Sequence, residues 1–222
     1  MLDIFDILGP VMVGPSSSHT AGAVRIGRMV RSLLGAPPVA AEIGLYGSFA
    51  ETGQGHGTDR ALVAGLLGLR PDDLDIPRSF ALAAEQGLRF SFHTAQLREA
   101  HPNTAVVTVE DARGQRLTVQ AASTGGGRIR VDRLNEVEVC FTGAFNTLII
   151  RHKDVPGEVA EVTRELSNAR VNIANMSLCR DRRGGDALMV IETDQRVPPV
   201  ARVLIEELRD VRHLTYYEKE GD

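Results

Sequence analysis

Cysteine is scarce in this sequence of 222 residues, and tryptophan is absent. The two cysteines, Cys140 and Cys179, lie in segments with the alternating pattern of strands, so we expect both to be reduced core residues. An iron–sulfur cluster usually needs several closely spaced thiolates. The sequence therefore excludes a cluster held by this chain alone.

Long apolar runs and an excess of positive charge are also lacking. The longest apolar run, residues 61–69, is far shorter than a membrane span, and the opening segment MLDIFDILGP has no basic residue of the kind that begins a leader peptide. The formal net charge is -4, with lysine and arginine scattered along the chain. We therefore expect a cytoplasmic protein that binds neither nucleic acid nor membranes.

Two amphipathic helices are predicted in the N-terminal part. Apolar residues recur at helical spacing over residues 23–34, and Gly35 is a typical helix end. Residues 59–69 predict a second helix with Thr58 as its N-cap. The glycine-rich segment 51–59, which leads into that helix, predicts a loop.

Alternating patterns replace the helical ones from Leu88 onward. They predict strands in LRFSFHT, AVVTVEDARGQRLTVQAAS and RIRVDRLNEVEVCF, with a turn at residues 112–115. Helices followed by such strands indicate the α+β class. We expect residues 1–146 to form an N-terminal domain with a helix-flanked antiparallel sheet.

Residues 147–222 show a different order of elements. The segment TLIIRH predicts a strand, EVAEVTRELSNA a helix, and VNIANMSLCRD with DALMVIETD a hairpin across residues 182–185. A second helix, PPVARVLIEELRD, and a last strand, VRHLTYYEK, follow. The order βαββαβ predicts a ferredoxin-like domain.

The segment GPSSSHT brings several hydroxyl and backbone N–H groups to the start of the first predicted helix. A helix N-terminus favours anions, so Ser16, Ser17, Ser18 and Thr20 are candidates for binding a substrate carboxylate. Alternatively, one serine caps the helix and the others lie in a loop. A nucleophilic pair of Ser17 and His19 is a third hypothesis, which the lack of a surrounding GxSxG motif makes the least favoured.

Two histidines occur in turn-like segments. Glycines around His56 in GQGHGTD allow backbone to approach a ligand, although the segment is also typical of a turn with an exposed histidine. His101 precedes a predicted strand, and Asn103 beside it either orients a substrate group or shapes a turn. The segment STGGG, residues 123–127, is either a flexible turn or a backbone cradle for a small anion.

These motifs occur in the order GPSSSHTAGAVRIGR, YGSFAETGQGHGTD, HPNTAVVTV and STGGG. In that order the chain resembles the beta subunits of bacterial iron–sulfur-dependent L-serine dehydratases, and DVPGEVAEVTRELSNARVNIANMSLCRD resembles an ACT domain. The resemblance implies deamination of L-serine to pyruvate and ammonia by a lyase that is inactive without its alpha subunit. It also implies a 4Fe–4S cluster ligated by that alpha subunit and a monovalent cation such as potassium.

The resemblance further implies roles for individual residues. His56 and His101 are the candidate catalytic pair, one acting as the base and the other orienting the substrate, in an order left open. The residues expected to bind substrate are Ser16, Ser17, Ser18, His19, Thr20, Gly55, Gly57, Thr58, Asn103, Gly125, Gly126 and Gly127. A competing hypothesis is a non-catalytic regulatory subunit that senses amino acids and binds L-serine.

The resemblance to ACT domains implies binding of L-serine or a related amino acid as an effector. We expect residues 153–157 and 171–174 to converge into a pocket. The residues expected to line this pocket are Asp154, Val155, Pro156, Gly157, Asn172, Ile173 and Ala174. An exposed sheet edge favours self-association of the domain. In the alternative, self-association is the only role and Asp154 caps the helix.

Overall fold

The computed structural model describes residues 11–180 and 182–219. The chain divides by packing into two compact units, Met1–Asn135 and Glu136–Asp222. The expected domain boundary between residues 146 and 147 stays a prediction. Helices and strands occur in both units, which confirms the α+β class.

The N-terminal unit combines helices with a mixed sheet. Its elements are a π-helical turn (Ser17–Ala21), α1 (Gly22–Leu34), β1 (Pro38–Leu45), α2 (Ser48–His56), α3 (Thr58–Leu67), a 3-10 turn (Ile76–Arg78), α4 (Ser79–Glu85), β2 (Arg89–Thr94), β3 (Thr104–Asp111), β4 (Arg116–Gly125) and β5 (Arg128–Leu134). The strands neighbour one another in the order β2-β1-β3-β4-β5. Neighbours are antiparallel except for β1 and β2, which are parallel. The prediction of an antiparallel sheet is corrected at this pair, because the helices between β1 and β2 return the chain to the edge where β1 begins.

Helix α1 and the β3–β4 turn agree with the predicted elements. Gly35 ends α1 in the left-handed conformation, with φ 76, and its N–H donates to the carbonyls of Arg31 and Ser32. The apolar face of α1, which includes Ile26 and Val30, is buried. Periodicity alone therefore located this helix.

The predicted loop over residues 51–59 is wrong, because α2 and α3 occupy this segment almost completely. Gly57, with φ 69, is the N-cap of α3 in place of the predicted Thr58. Thr58 is the first residue of α3, and within residues 11–180 and 182–219 its buried hydroxyl has no hydrogen-bond partner. A glycine costs a helix only about 1 kcal/mol, so the packing of α2 overrides the local preference for a loop.

Helices α1 and α3 approach each other through two glycines. A Cβ atom on Gly65 would lie 2.1 Å from the carbonyl oxygen of Val24, and one on Gly27 would lie 2.3 Å from that of Leu62. Both clashes involve backbone, which no change of rotamer relieves. Only glycine therefore fits at these two positions.

Hydrogen bonds at both ends set the direction of α1 relative to α3. Arg28 Nη1 donates to the carbonyl of Gly68 at 2.5 Å, and Arg31 Nη1 donates to that of Leu66 at 2.9 Å. At the opposite end, Thr20 Oγ1 donates to the carbonyl of His56 at 3.4 Å. The two helices therefore run in the same direction, with their N-termini side by side.

The C-terminal unit contains the predicted ferredoxin-like fold. Its elements are β6 (Val137–Phe141), β7 (Asn146–Lys153), α5 (Glu158–Asn168), β8 (Ile173–Arg180), β9 (Asp186–Thr193), α6 (Pro199–Glu206) and β10 (Val211–Tyr217). The antiparallel sheet has the order β10-β7-β9-β8, so β8 is an edge strand. Leu148, Leu166, Met189 and Ile205 are among the fully buried core residues.

The cysteines do not lie in the core as predicted. Cys140 is exposed and Cys179 is partly exposed, because each occupies a strand position that faces away from the buried side. Both are free thiols. In the described part of the chain, no helix is long and apolar enough to cross a membrane.

The contact between α1 and α3 generates a stability prediction. We expect Gly65→Ala to lower the free energy of unfolding by about 1–3 kcal/mol, because the new methyl group would overlap backbone atoms of α1. Urea unfolding of the full chain, followed by far-UV circular dichroism, measures the change. Gly55→Ala is the matched control, since Gly55 is also helical but has nothing within 4 Å of the added Cβ. Equal midpoints for the two variants would contradict the prediction.

Candidate functional site

Ser16 caps the π-helical turn that leads into α1. Its backbone is extended, with φ -141 and ψ 124, and its Oγ accepts a hydrogen bond from His19 N at 3.1 Å. Ser16 therefore caps as the capping alternative expects, but Ser17 and Ser18 lie in the π-helical turn and not in a loop. Both of these serines are partly buried. Short π-helical turns are frequent at functional sites, and the substrate-binding role of these serines stays a prediction.

The imidazole of His19 is surrounded by hydroxyl groups. Its Nε2 lies 3.1 Å from Ser48 Oγ and 3.1 Å from Thr52 Oγ1, and its Nδ1 lies 3.4 Å from Ser16 Oγ. The ring of Phe49 also packs against the imidazole in an edge-type arrangement, with ring centroids 5.3 Å apart. Helix α2 thus supplies three side chains that fix the position of His19.

His19 is held in its neutral form near pH 7. Burial lowers the pKa of His19 below its ordinary value of 6.5, and the charge of His56 lowers it further. A hydrogen bond to the Ser48 backbone partly opposes both effects. A neutral imidazole has one nitrogen that accepts a hydrogen bond and one that donates.

His56 lies beside His19 at the end of α2. The two ring centroids are 5.0 Å apart, and the side chain of His56 is exposed. Gly55 and Gly57 flank it, and α3 begins at Thr58. Because α1 and α3 are parallel, the partial positive charges of two helix N-termini lie at this end of the unit, which favours an anion there.

The segment around His101 is connected to the same region. Asn103 N donates to His101 Nδ1 at 3.1 Å, and Asn103 O accepts from Ser123 N at 2.9 Å. Gly47, just before α2, packs so closely on Pro102 that an added Cβ would lie 2.7 Å from the proline oxygen. The segment with His101 and Asn103 therefore packs against the start of α2 through Pro102. His19 and His56, in contrast, contact each other through their rings.

The STGGG segment contains the last three residues of β4, which ends at Gly125, and the two-residue turn into β5 at Gly126 and Gly127. Gly125, Gly126 and Gly127 all have positive φ, at 98, 60 and 74, and Gly127 O accepts from Arg25 Nη1 at 3.0 Å. The buried Ser123 lies against Gly22, where an added Cβ would be 2.1 Å from Ser123 Oγ. This turn therefore lies along the first turn of α1, and its role as an anion cradle stays a prediction.

Sequence reasoning missed three residues around His19. Ser48, Phe49 and Thr52 all contact its ring, and all lie in the first two turns of α2. Ser48 and Thr52 are four residues apart, the spacing that puts two side chains on one helix face. That spacing becomes visible only when the segment is recognised as a helix, and its glycines concealed the helix.

Asp154, in the C-terminal unit, binds the β8–β9 hairpin and does not cap α5. Its Oδ2 accepts from Gly184 N at 2.9 Å and from Arg180 Nη1 at 3.0 Å. These two hydrogen bonds, from Gly184 first and then from Arg180, lower the pKa of Asp154. The N-cap of α5 is Gly157, which follows Val155 and Pro156 and has φ 104. The capping alternative for Asp154 is therefore wrong.

The expected convergence of residues 153–157 with residues 171–174 is also wrong within one chain. Lys153 pairs with Asp186 at one end of the sheet, whereas Ile173 pairs with Thr193 at the other end. Strands β7 and β8 are parallel, so the end of β7 and the start of β8 are separated by roughly 20 Å of strand. At the start of β8, beside Ile173 and Ala174, Asn172 Nδ2 donates to Asp194 Oδ2 at 2.6 Å.

Comparison with known families matches both parts of the chain. The family described as serine dehydratase beta chain matches residues 1–87, and the family described as ACT domain matches residues 146–211. A probable L-serine dehydratase beta chain of Bacillus subtilis is 42% identical over 87% of this chain and 88% of the relative. An L-serine dehydratase beta chain of Peptoniphilus asaccharolyticus is 36% identical over 86% of each chain.

The chain belongs to the serine dehydratase beta chain family. A more distant similarity involves the D-3-phosphoglycerate dehydrogenase of Bacillus subtilis, which is 27% identical over 79% of this chain and 33% of the relative. That alignment covers 176 residues, which is more than the whole C-terminal unit, Glu136–Asp222. The similarity between the two proteins therefore extends into the N-terminal unit.

The residues of this chain do not fit an iron–sulfur cluster. Across residues 11–180 and 182–219, no group of three or more His, Cys, Asp or Glu side chains is arranged to hold a metal ion. Cys140 and Cys179 lie on different strands, and two thiolates are too few for a 4Fe–4S cluster. Any cluster in the enzyme must therefore have ligands outside the described part of this chain.

The surroundings of His19 predict a pH dependence. Because the folded pKa of His19 is below that of the unfolded chain, the unfolded chain takes up this proton first as the pH falls. The stability contributed by neutral His19 is complete above about pH 6.5 and is lost as the pH falls through the folded pKa. NMR titration of the full chain should show His19 protonating below its ordinary pH range.

His56→Gln tests the second of the two causes that lower the pKa of His19, the charge of His56. It should raise the pKa of His19, because it removes the neighbouring charge. An unchanged pKa would mean that the two rings do not interact.

Proposed function

We propose that this chain is the beta subunit of an L-serine dehydratase, which converts L-serine to pyruvate and ammonia. The main support is the identity of 42% and 36% with chains named as beta chains over nearly their whole length. An alpha subunit, proposed to hold the 4Fe–4S cluster, completes the enzyme. A monovalent cation such as potassium is proposed as a second cofactor of the assembled enzyme.

The substrate carboxylate is proposed to bind where the N-termini of α1 and α3 lie side by side. Two helix dipoles point their positive ends there, which favours a negatively charged group. The hydroxyls of Ser17 and Ser18 are proposed to complete the carboxylate site. Ser16, whose Oγ already accepts from His19 N, shapes the turn that presents them.

Two histidines are proposed to act on the substrate in different ways. His101 Nδ1 accepts from Asn103 N, so a neutral His101 carries its proton on Nε2 and acts as a hydrogen-bond donor. This geometry supports His101 as the group that orients the substrate. His56 is then proposed as the base that removes the Cα proton, since its exposed ring lies at the paired helix N-termini.

The proposed function is tested by assembly with an alpha subunit. We expect anaerobic co-expression with the alpha chain to give a complex that forms pyruvate from L-serine. We expect the lone chain to bind no iron and to form no pyruvate, because it cannot supply enough cluster ligands. Iron content and a coupled pyruvate assay measure both. A cluster-loaded complex that binds L-serine but forms no pyruvate would instead support the non-catalytic regulatory subunit.

The C-terminal unit is proposed to bind L-serine as an effector between two copies of the chain. Strand β8 is at the sheet edge and exposes Met176 and Leu178. A symmetric antiparallel pairing of two β8 strands would bring the start of one beside the end of the other. Asn172 of one copy would then lie near Arg180 and Asp154 of the second copy. The two segments predicted to form the pocket would converge across this pair.

The effector proposal predicts the behaviour of two variants. We expect Asn172→Ala to abolish one class of L-serine binding in isothermal titration of the full chain, because it removes a polar group of the shared pocket. Asn168→Ala, at the exposed end of α5, is the control and should bind as the wild type does. Leu178→Asp should give monomers by analytical ultracentrifugation and lose the same binding class. Serine binding that persists in a monomeric Leu178→Asp variant would contradict the shared pocket.

A further inference from the structure

The hydrogen bonds of Thr52 favour one of the two neutral tautomers of His19. The Thr52 hydroxyl donates its single proton to the carbonyl of Ser48 at 2.8 Å. At its 3.1 Å contact with His19 Nε2, Thr52 Oγ1 can therefore only accept. In this arrangement His19 Nε2 is the donor, so the contact favours the neutral tautomer that carries its proton on Nε2.

The opposite side of the ring agrees with this assignment. Ser16 Oγ accepts from His19 N at 3.1 Å, which leaves its own proton free to point at His19 Nδ1, 3.4 Å away. Nδ1 is therefore an acceptor, and the contact with Ser16 is long enough to be weak. A substrate donor group can replace it without leaving a strong hydrogen bond unmade.

The chemistry of an amino acid decides which substrate group suits this nitrogen. A carboxylate only accepts hydrogen bonds, so it does not bind an unprotonated nitrogen. An ammonium group offers three donors, and a neutral imidazole accepts one of them without charge repulsion. His19 directly follows the serines proposed to hold the carboxylate. Consecutive residues therefore bind the carboxylate and the ammonium group, the two polar groups on the substrate's α-carbon.

We propose that Ser48 and Thr52 are positioning residues that hold His19 as the Nε2–H tautomer, so that Nδ1 accepts a hydrogen bond from the substrate ammonium group. The inference rests on the proposed function and names how that site recognises an amino acid. It makes His19 a specificity-determining residue, separate from the proposed base.

The first test reads the tautomer in the full chain without any partner. Nitrogen-15 NMR of the wild-type chain above the His19 pKa should show Nδ1 unprotonated and Nε2 protonated. A protonated Nδ1 would overturn the inference whatever the activity of the assembled enzyme. If the assembled enzyme formed no pyruvate, that result would contradict the proposed function but not the tautomer. The NMR measurement would still decide whether Nε2 carries the proton.

The second test uses the assembled enzyme and two inhibitors that each lack one substrate group. Thr52→Val should raise KM for L-serine roughly threefold to tenfold, the value of one hydrogen bond, with kcat changed by less than about twofold. Inhibition by L-alanine, which keeps the ammonium group, should weaken by the same factor. Inhibition by 3-hydroxypropionate, which lacks it, should not change.

Matched variants separate positioning from folding. Thr52→Ser keeps the hydroxyl and should restore the wild-type KM. Thr163→Val is the control, because Thr163 Oγ1 donates to the carbonyl of Val159 on α5 as Thr52 does on α2, but in the other unit. If Thr52→Val weakened inhibition by 3-hydroxypropionate alone, His19 would bind the hydroxyl group of the substrate, and the inference would be overturned. A loss confined to kcat in this variant would also overturn it.

If the Thr52→Val variant does not assemble with the alpha subunit, a pair of His19 variants tests the role of Nδ1 instead. In His19→Asn, the amide oxygen can occupy the position of Nδ1, so this variant should retain more L-alanine inhibition than His19→Gln. Equal loss in both variants would overturn the role of Nδ1.

Discussion

The close contact of α1 with α3 is the constraint on which the N-terminal unit depends. Gly27 and Gly65 let the two backbones touch, and arginines of α1 bind the last carbonyls of α3. These contacts fix the two helices in the same direction and in one register. As a result, the turn before α1 and the turn before α3 meet, although they are about forty residues apart in sequence.

This arrangement explains the electrostatics of the site. Two helix N-termini, each with a partial positive charge, lie where His19 and His56 face each other. Burial first, and then the charge of His56, lower the pKa of His19, and a positive helix end acts in the same direction because it disfavours a protonated imidazole. The same charges favour an anion. One packing contact thus brings the two histidines together in a region suited to a carboxylate.

The sequence predicted where helices and strands lie better than it predicted which residues contact one another. Strong periodicity located α1 and the βαββαβ order, because burial of one face dictates the spacing of apolar residues. It failed at α2, where Gly53 and Gly55 indicate a loop and long-range packing decides otherwise. The error concealed Ser48 and Thr52, whose relation to His19 depends on a helix. The motifs brought His19 and His56 into the predicted site, but they did not show that the two rings lie against each other.

The misplaced pocket in the C-terminal unit has a different physical cause. In a ferredoxin-like fold the first helix crosses over the sheet, so the strands on either side of it are parallel and the end of one lies far from the start of the next. Any ligand that contacts both Asp154 and Asn172 must therefore be bound by two chains. Binding of such an effector is then coupled to self-association, and the coupling is reciprocal: the effector tightens the pair by the same factor by which pairing tightens the effector. On this proposal the response to L-serine depends on the concentration of the protein itself, which a pocket contained in one chain would not produce.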